Sequence, residues 1–337
     1  MQADRHSDWQ KDSWRAEAGE WIRGQAARNG IEIDGPIEQP HLYPWSTVLH
    51  VPSNHGTLFF KATAPETIFE AALTEALSRW LPGCTPDLLG IEAERGWILM
   101  RDGGKQLRAW IRPNKDPAPW GPVVGLFAEL QLRLIDRVPE LLSLGVPDMR
   151  AEGLTPKLAN ILLDGRTLRL NEPQGLTSAE LEEVHEALPR FSRACAELQR
   201  MGIPDTINHG DLTDGNVLVK DGRTTFFDWG DACVGHPFVS LRNVFVSIEI
   251  ALDLDDYSFT PEMGLLLDIY LARWGDFAPR EQLALAYKRS RWVASAVKAL
   301  TWYSTVSVLQ PPVLDEYEHI VPTVMKEFLH YGKTLDG

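Results

Sequence analysis

Cysteine is scarce in this sequence, and the few present are scattered. The 337 residues hold three, Cys84, Cys195 and Cys233, with no CxxC spacing. That pattern excludes a disulfide framework and a zinc site and fits a reducing compartment. Long hydrophobic runs are missing as well. The best apolar stretch, Val244 to Leu252, is cut by Ser247 and Glu249 and is too short to span a bilayer. The N-terminal MQADRHSDWQKDSW is charged and carries no apolar segment of a secretory signal. A soluble, cytoplasmic protein is expected. Positive charge is in deficit, with 33 Lys and Arg against 47 Asp and Glu and a net charge of -14. So acidic a surface repels phosphate backbones, which argues against nucleic acid as a partner, whereas a cationic small molecule is tolerated or attracted. Familiar catalytic signatures are absent too. Gly332-Lys333-Thr334 imitates the end of a Walker A motif, but Glu327 stands where its first glycine is needed. No GxSxG elbow or HExxH helix occurs, so serine hydrolase and zincin readings find no support. Internal repeats and low-complexity tracts are also lacking.

What is present suits two compact units or one large two-lobed domain. Twelve tryptophans are a heavy load, and indoles mostly serve packing. Residues 14–28 read as a short helix ended by Asn29-Gly30. Trp45 to Val51 and Thr57 to Ala62 read as a hairpin around the turn at Pro52–Gly56. Residues 66–81 are helical, with Phe69, Leu73, Leu77 and Leu81 repeating every four residues. Gly96 to Met100 is a short buried-type strand running into Asp102-Gly103-Gly104. Beyond that point the pattern turns helical, notably over 121–144 and 281–303. Thr177 to Glu180 is a capping box ahead of a helix that Pro189 should kink or split. Residues 145–175 look like an insertion or extra hairpin around Asp164-Gly165.

Chemistry concentrates in residues 208–238, NHGDLTDGNVLVKDGRTTFFDWGDACVGHPF. Val217–Lys220 and Arg223–Phe227 flank Asp221-Gly222, a strong two-residue hairpin signal. That turn sets 219 against 224, 217 against 226 and 216 against 227. Asn216 and Asp228 then reach the same open end, with Asp211 on the loop feeding the first strand. Phosphoryl transfer needs a divalent cation held by hard oxygen ligands, which Asp228 and Asn216 supply. It also needs a carboxylate beside the attacking hydroxyl, which suits Asp211. Taken singly, each residue is explained by a turn cap or a strand end; the set of three on one hairpin is not.

These motifs resemble the aminoglycoside phosphotransferase and choline-kinase-like branch of the kinase superfamily. His209-Gly210-Asp211 followed by Asn216 is similar to its HGDxxxxN catalytic loop, and Phe227-Asp228-Trp229-Gly230-Asp231 to its metal-binding segment. The resemblance implies an α+β, two-lobed protein-kinase-like fold, with a small β-rich N-lobe and a larger, mainly helical C-lobe. It divides the chain into a nucleotide-binding lobe at 1–102, including the leading helix, and a catalytic and substrate-binding lobe at 103–337. It implies ATP and Mg2+ as cofactors, Asp211 as catalytic base, Asn216 and Asp228 as magnesium ligands, and a structural His209. Lys61, in FFKA, stands where the family places its phosphate-binding lysine. Glu70 and Glu75 both qualify as its partner; Glu70 fits better, since the family's glutamate opens the following helix. Met100, Arg101 and Asp102 would line adenine through their main chain, and Ser46 would touch a phosphate. Two features depart from the pattern: HLYPWSTV contains no glycine, and Val239-Ser240-Leu241 stands where the family frequently has an aspartate.

The implied activity is transfer of the γ-phosphate of ATP to a hydroxyl of a small molecule, such as an aminoglycoside, amino sugar, amino alcohol or sugar. Two other classes compete: a nucleotide-binding pseudokinase acting as an interaction module, and a metal-dependent phosphoesterase, which would need neither Lys61 nor an adenine-binding strand. Asp231, Glu249, Asp253, Asp255 and Asp256 are candidates to meet an amine of the acceptor, or else form a solvated acidic face.

Overall fold

A computed structural model describes residues 8–335. It divides into two compact units, one made of residues up to 107 with 215–230, the other of 108–214 with the residues from 231 onward. The first unit is built on an antiparallel sheet in the order β1-β2-β3-β5-β4. Its strands are β1 (Glu38–Leu42), β2 (Ser46–Val51), β3 (Leu58–Thr63), β4 (Leu88–Glu92) and β5 (Trp97–Arg101). Helix α1 (Asp12–Arg28) lays Ala18, Ile22 and Ala26 against Leu49, Val51, Leu58, Phe60, Trp97 and Leu99. Trp14 and Trp21 close this layer, each within 6.2 Å of the Phe60 and Trp97 rings. Because successive strand residues face opposite ways, burying Leu58, Phe60 and Ala62 under α1 sends Lys61 to the other face. Helix α2 (Phe69–Trp80) starts later than its periodicity predicts, because Pro65–Thr67 form a tight turn ahead of it.

A second, three-stranded sheet belongs to the same unit. It joins β6 (Lys105–Gln106) to the hairpin strands Val217–Lys220 and Arg223–Phe226. Val217 pairs with Phe226 and Val219 with Thr224, the register expected from the two-residue turn. Asp221 and Gly222 both have positive φ, 50° and 78°, as a type I′ turn requires. Sequence reading set all of 103–337 in one lobe. The hairpin groups instead with the first unit because its inner strand pairs with Lys105 and Gln106. Gly104 permits that pairing: its φ is 106°, and a Cβ there would lie 2.4 Å from the Val219 carbonyl oxygen.

The second unit is mainly helical: α3 (Arg108–Ile111), α4 (Trp120–Arg133), α5 (Val138–Ser143), α6 (Ala151–Ile161), α7 (Ser178–Arg200), α8 (Leu241–Leu252), α9 (Pro261–Ala272), α10 (Arg280–Val306), α11 (Val313–Tyr317) and α12 (Ile320–Thr334). Strands Thr206–Asn208 and Cys233–Gly235 form a short antiparallel ribbon. Phe191, Trp292 and Phe328 pack edge-on or tilted at the centre of α7, α10 and α12. Two sequence expectations are corrected here and a third is narrowed. The helix predicted over 121–144 breaks after Arg133, because Pro139 has no N–H to continue it and opens a new helix instead. Residues 145–175 form α6 and turns rather than a hairpin; the Asp164 carboxylate accepts the Thr167 N–H at 3.0 Å, and Asp164-Gly165 does not close a strand pair. Of the two outcomes expected at Pro189, a kink or a split, the split does not occur: α7 continues through it, where both Pro189 and His185 are exposed and solvent can reach the freed carbonyl. The capping box at its start is present: Thr177 accepts the Glu180 N–H, and Glu180 accepts the Thr177 N–H. No helix among the described residues is long and apolar enough to cross a membrane.

Candidate active site

In the first unit the chemistry gathers around one buried lysine. Lys61 projects from β3 on the face opposite α1, with 7% of its surface exposed. Its ammonium donates to both carboxylate oxygens of Glu70 at 2.7 Å and to Asp228 Oδ1 at 2.5 Å. Of the two candidate glutamates, Glu70 is therefore the one paired to Lys61. It lies in the first turn of α2, where the helix dipole favours a carboxylate. Glu70 Oε1 also accepts the backbone N–H of Trp229 at 3.1 Å, which fixes the residue next to Asp228. The Trp229 indole is fully buried and donates to the Phe226 carbonyl at 3.2 Å, anchoring this segment to the hairpin. Burial alone pushes the Lys61 ammonium down, but Asp228 and Glu70 outweigh it and hold it above its ordinary value. Burial pushes Glu70 up, against the pull of Lys61.

Asp228 follows the hairpin with φ at 65°, a left-handed conformation that aspartate tolerates better than most residues. Its side chain is 46% exposed. Asn216, at the head of the opposite strand, accepts the Phe227 N–H on its carbonyl at 3.2 Å and is largely buried. An exposed carboxylate and an amide at one hairpin end are the hard oxygen donors a magnesium ion takes. Among the described residues no group of three or more His, Cys, Asp or Glu is arranged to hold a metal. Magnesium does not require one, since it commonly keeps one or two protein ligands and completes its shell with water and phosphate oxygens. At the end of β5, the Arg101 N–H donates to the Asp87 carbonyl at 2.9 Å, and the Lys220 ammonium reaches the Asp102 carbonyl at 3.1 Å. Met100 pairs with Phe59 and Leu88. Ser46, expected in a turn, opens β2 and is buried.

In the second unit, Asp211 stands on the loop between the ribbon strand Thr206–Asn208 and residue 215. This loop is clamped from several sides. His209 is fully buried. Gly210 has φ at 74°, and a Cβ there would lie 1.8 Å from the Asp231 carbonyl oxygen, so no other residue fits without displacing the main chain. Asp214 is completely buried and held by a two-pronged pair from Arg112, at 2.8 and 3.0 Å, while its N–H donates to Ser247 at 3.0 Å. Charge-assisted forks of this kind are strong and directional. The Asp214 contact holds the Arg112 guanidinium above its ordinary value. Asn243 donates from α8 to the Gly210 carbonyl. Lys298, from α10, donates to the same carbonyl at 3.2 Å and to Asp231 at 2.9 Å, and lies 3.6 Å from Asp211 Oδ1. Arg112, Asp214, Asn243 and Lys298 were not singled out by sequence reasoning. A lone lysine inside the apolar run WVASAVKAL was the one available signal.

Residues 58–285 match the model of the phosphotransferase enzyme family. No curated protein is significantly similar to the chain in sequence. Solved structures share its fold at low identity. The ethanolamine kinase of Plasmodium vivax is 13% identical, with a TM-score of 0.60 over 96% of this chain and 89% of its own. The choline kinase of Cryptosporidium parvum is 14% identical, with a TM-score of 0.57 over 94% and 96%. An aminoglycoside phosphotransferase of Streptomyces rimosus, solved with ADP and streptomycin, is 16% identical, with a TM-score of 0.50 over 83% and 98%. The solved structures show the shared fold, and the family match supports phosphotransferase activity. With the family match spanning more than half of its length, the chain belongs to the phosphotransferase enzyme family.

Proposed function

We propose that the chain transfers the γ-phosphoryl group of ATP to a hydroxyl of a small molecule. The observation that carries this reading is the buried Lys61, held at once by Glu70 and by Asp228. Two carboxylates, one of them half exposed, leave a charged group poised to meet phosphate. In the proposed roles Lys61 binds the α- and β-phosphates and Glu70 fixes its ammonium. Asp228 and Asn216 would hold Mg2+, whose charge offsets that of the phosphate oxygens. Ser46 does not enter the proposal, because so little of its surface is available. The main chain from Met100 to Asp102 would meet adenine, with the exposed Lys220 giving up its bond to Asp102. Asp211 accepts the proton of the acceptor hydroxyl as its oxygen bonds to the γ-phosphorus and the bond to the β,γ-bridging oxygen breaks. ADP and a phosphate monoester leave.

Two of the acidic groups expected to meet an acceptor amine already have partners in the chain: Asp231 has Lys298 and Asp253 has Lys115. The proposal therefore specifies a hydroxyl acceptor and leaves its charge to experiment. ADP release with magnesium and ATP is to be screened across amino alcohols, sugars, amino sugars and aminoglycosides, with Asp211→Ala as control. The expected result is turnover with at least one acceptor and a loss on the order of a thousandfold or more in kcat for Asp211→Ala, with melting unchanged. Turnover unaffected by Asp211→Ala removes Asp211 from the mechanism. Nucleotide-dependent stabilisation without any magnesium-dependent turnover would make the chain a binding module instead.

A further inference from the structure

Helix α10 carries a lysine where its neighbours are packed away. Every residue from Trp292 to Leu300 is buried, Lys298 among them with 8% of its surface exposed. An ammonium at that depth is strongly unfavourable unless it is paired and hydrogen-bonded. Lys298 is both. Its Nζ donates to Asp231 Oδ2 at 2.9 Å and to the Gly210 carbonyl oxygen at 3.2 Å, and Asp211 Oδ1 lies 3.6 Å away. Burial acts to lower its pKa, yet Asp231 and Asp211 more than offset this and keep the ammonium charged.

The choice of partners is informative. The chain leaves the second unit after Asp214 and returns to it at Asp231. Gly210 and Asp231 are therefore close to the two ends of that excursion, and their main chains touch, as the 1.8 Å approach of a Gly210 Cβ to the Asp231 carbonyl shows. Lys298 bridges both. Another cation near Asp211 is Arg242, and it is committed to Glu327 through Nε at 2.8 Å and a second, shorter contact. Lys298 thus serves two carboxylates and one carbonyl, all at the base of the loop that presents Asp211.

We propose that Lys298 is a positioning residue for phosphoryl transfer, fixing the Asp211 carboxylate by binding Gly210 and Asp231 together beneath it. The inference rests on Asp211 being the proton acceptor. A carboxylate displaced by a fraction of an ångström from the hydroxyl it must meet loses rate without losing nucleotide binding. The effect of removing the ammonium should therefore appear in kcat and not in KM for ATP.

The test compares Lys298→Met, Lys298→Arg and Asp211→Asn in the full-length chain. ADP release from magnesium-ATP is the readout, with the best acceptor of the screen, or with water where no alcohol is turned over. Lys298→Met is expected to lower kcat roughly a hundredfold while KM for ATP stays within about threefold. Lys298→Arg, which keeps the charge, should recover to within about tenfold of wild type. Should Lys298→Met fail to fold, Asp231→Asn loosens the same bridge from its exposed side and should show the same kcat-selective loss, smaller in size. Wild-type kcat in Lys298→Met, a loss confined to KM, or Lys298→Arg no better than Lys298→Met would overturn the inference. Full activity in Asp211→Asn, or a wild-type chain without turnover, would overturn the kinase reading on which it rests.

Discussion

Each unit buries one lysine against two carboxylates, yet the two clusters are built to different ends. Around Lys61 one partner is close and dry, Glu70 with 2% of its surface exposed and both oxygens on the ammonium, and only Asp228 reaches outward, its side chain 46% exposed. Around Lys298 the carboxylates reach outward, Asp231 with its side chain 30% exposed and Asp211 with 40%. The first cluster sits on a strand and a helix start; the second joins a long helix to a loop. A buried, fully paired lysine resists removal because its partner would be left charged in a low dielectric, whereas carboxylates near water can be rehydrated. Stability should therefore depend on Lys61 and geometry on Lys298.

The largest expected effect tests that contrast directly. Lys61→Met leaves Glu70 buried and unpaired, and should lower unfolding free energy by about 3–5 kcal/mol. Turnover should fall as well, by a factor on the order of a hundred or more in kcat/KM for ATP. The double variant Lys61→Met, Glu70→Gln removes the orphaned charge and should regain most of the stability without regaining turnover. Urea unfolding measured beside ADP release separates the two losses. If Lys298→Met proves as destabilising as Lys61→Met, the distinction between the clusters fails.

Glycine substitutions sharpen the comparison at a smaller scale. Gly210→Ala requires a left-handed φ and sets a methyl 1.8 Å from main chain, where nothing can yield cheaply. It should destabilise by about 2 kcal/mol or more and disturb Asp211. Gly230, three residues after Phe227 in the other cluster, has an ordinary φ, and its added Cβ would meet Glu70 Oε2 at 3.1 Å. Gly230→Ala should cost under about 1 kcal/mol, because a side-chain oxygen can shift by a few tenths of an ångström. Paired melting curves decide the matter; equal shifts would mean that the Gly210 loop is more pliable than its contacts imply.

How much of this was legible in the sequence follows from the range of each interaction. The hairpin register came from Asp221-Gly222 alone, because a two-residue turn fixes which residues oppose one another. The pairing of Lys61 with Glu70 spans only nine residues and one strand-to-helix step, yet the local pattern left Glu75 equally eligible, and the family resemblance was what favoured Glu70. The contacts that clamp the Asp211 loop span far more: 102 residues for Arg112 to Asp214, 67 for Lys298 to Asp231 and 33 for Asn243 to Gly210. No periodicity encodes such separations. The ribbon Thr206–Asn208 with Cys233–Gly235 escaped for a similar reason, its strands being three residues each and far apart in the chain. Helix breaks failed in the opposite direction, because Pro139 stops a helix whose apolar spacing continues, while the exposed Pro189 does not.

The smallest effect concerns a carboxylate that neither lysine serves. Glu249, on α8, lines a cavity of about 20 Å³, room for a single water, with Arg242, Arg291, Tyr287 and Tyr331 among its walls. Burial, and then the charges of Asp256 and Glu327, push its pKa up from 4.5 to about 7, with Arg291 and Arg242 pulling the other way. The folded state thus holds a proton that the unfolded chain has already released between those two values. Stability contributed by this residue must fall as pH rises from 4.5 to 7, and stay at its lower value above that. Glu249→Gln removes the charge and should melt with wild type near pH 4 but above it at pH 8. The difference between the two melting temperatures across that range isolates Glu249 from every other titrating group. A difference that stays flat would show that the two arginines already hold Glu249 charged throughout that range, and that its burial carries no pH-dependent cost.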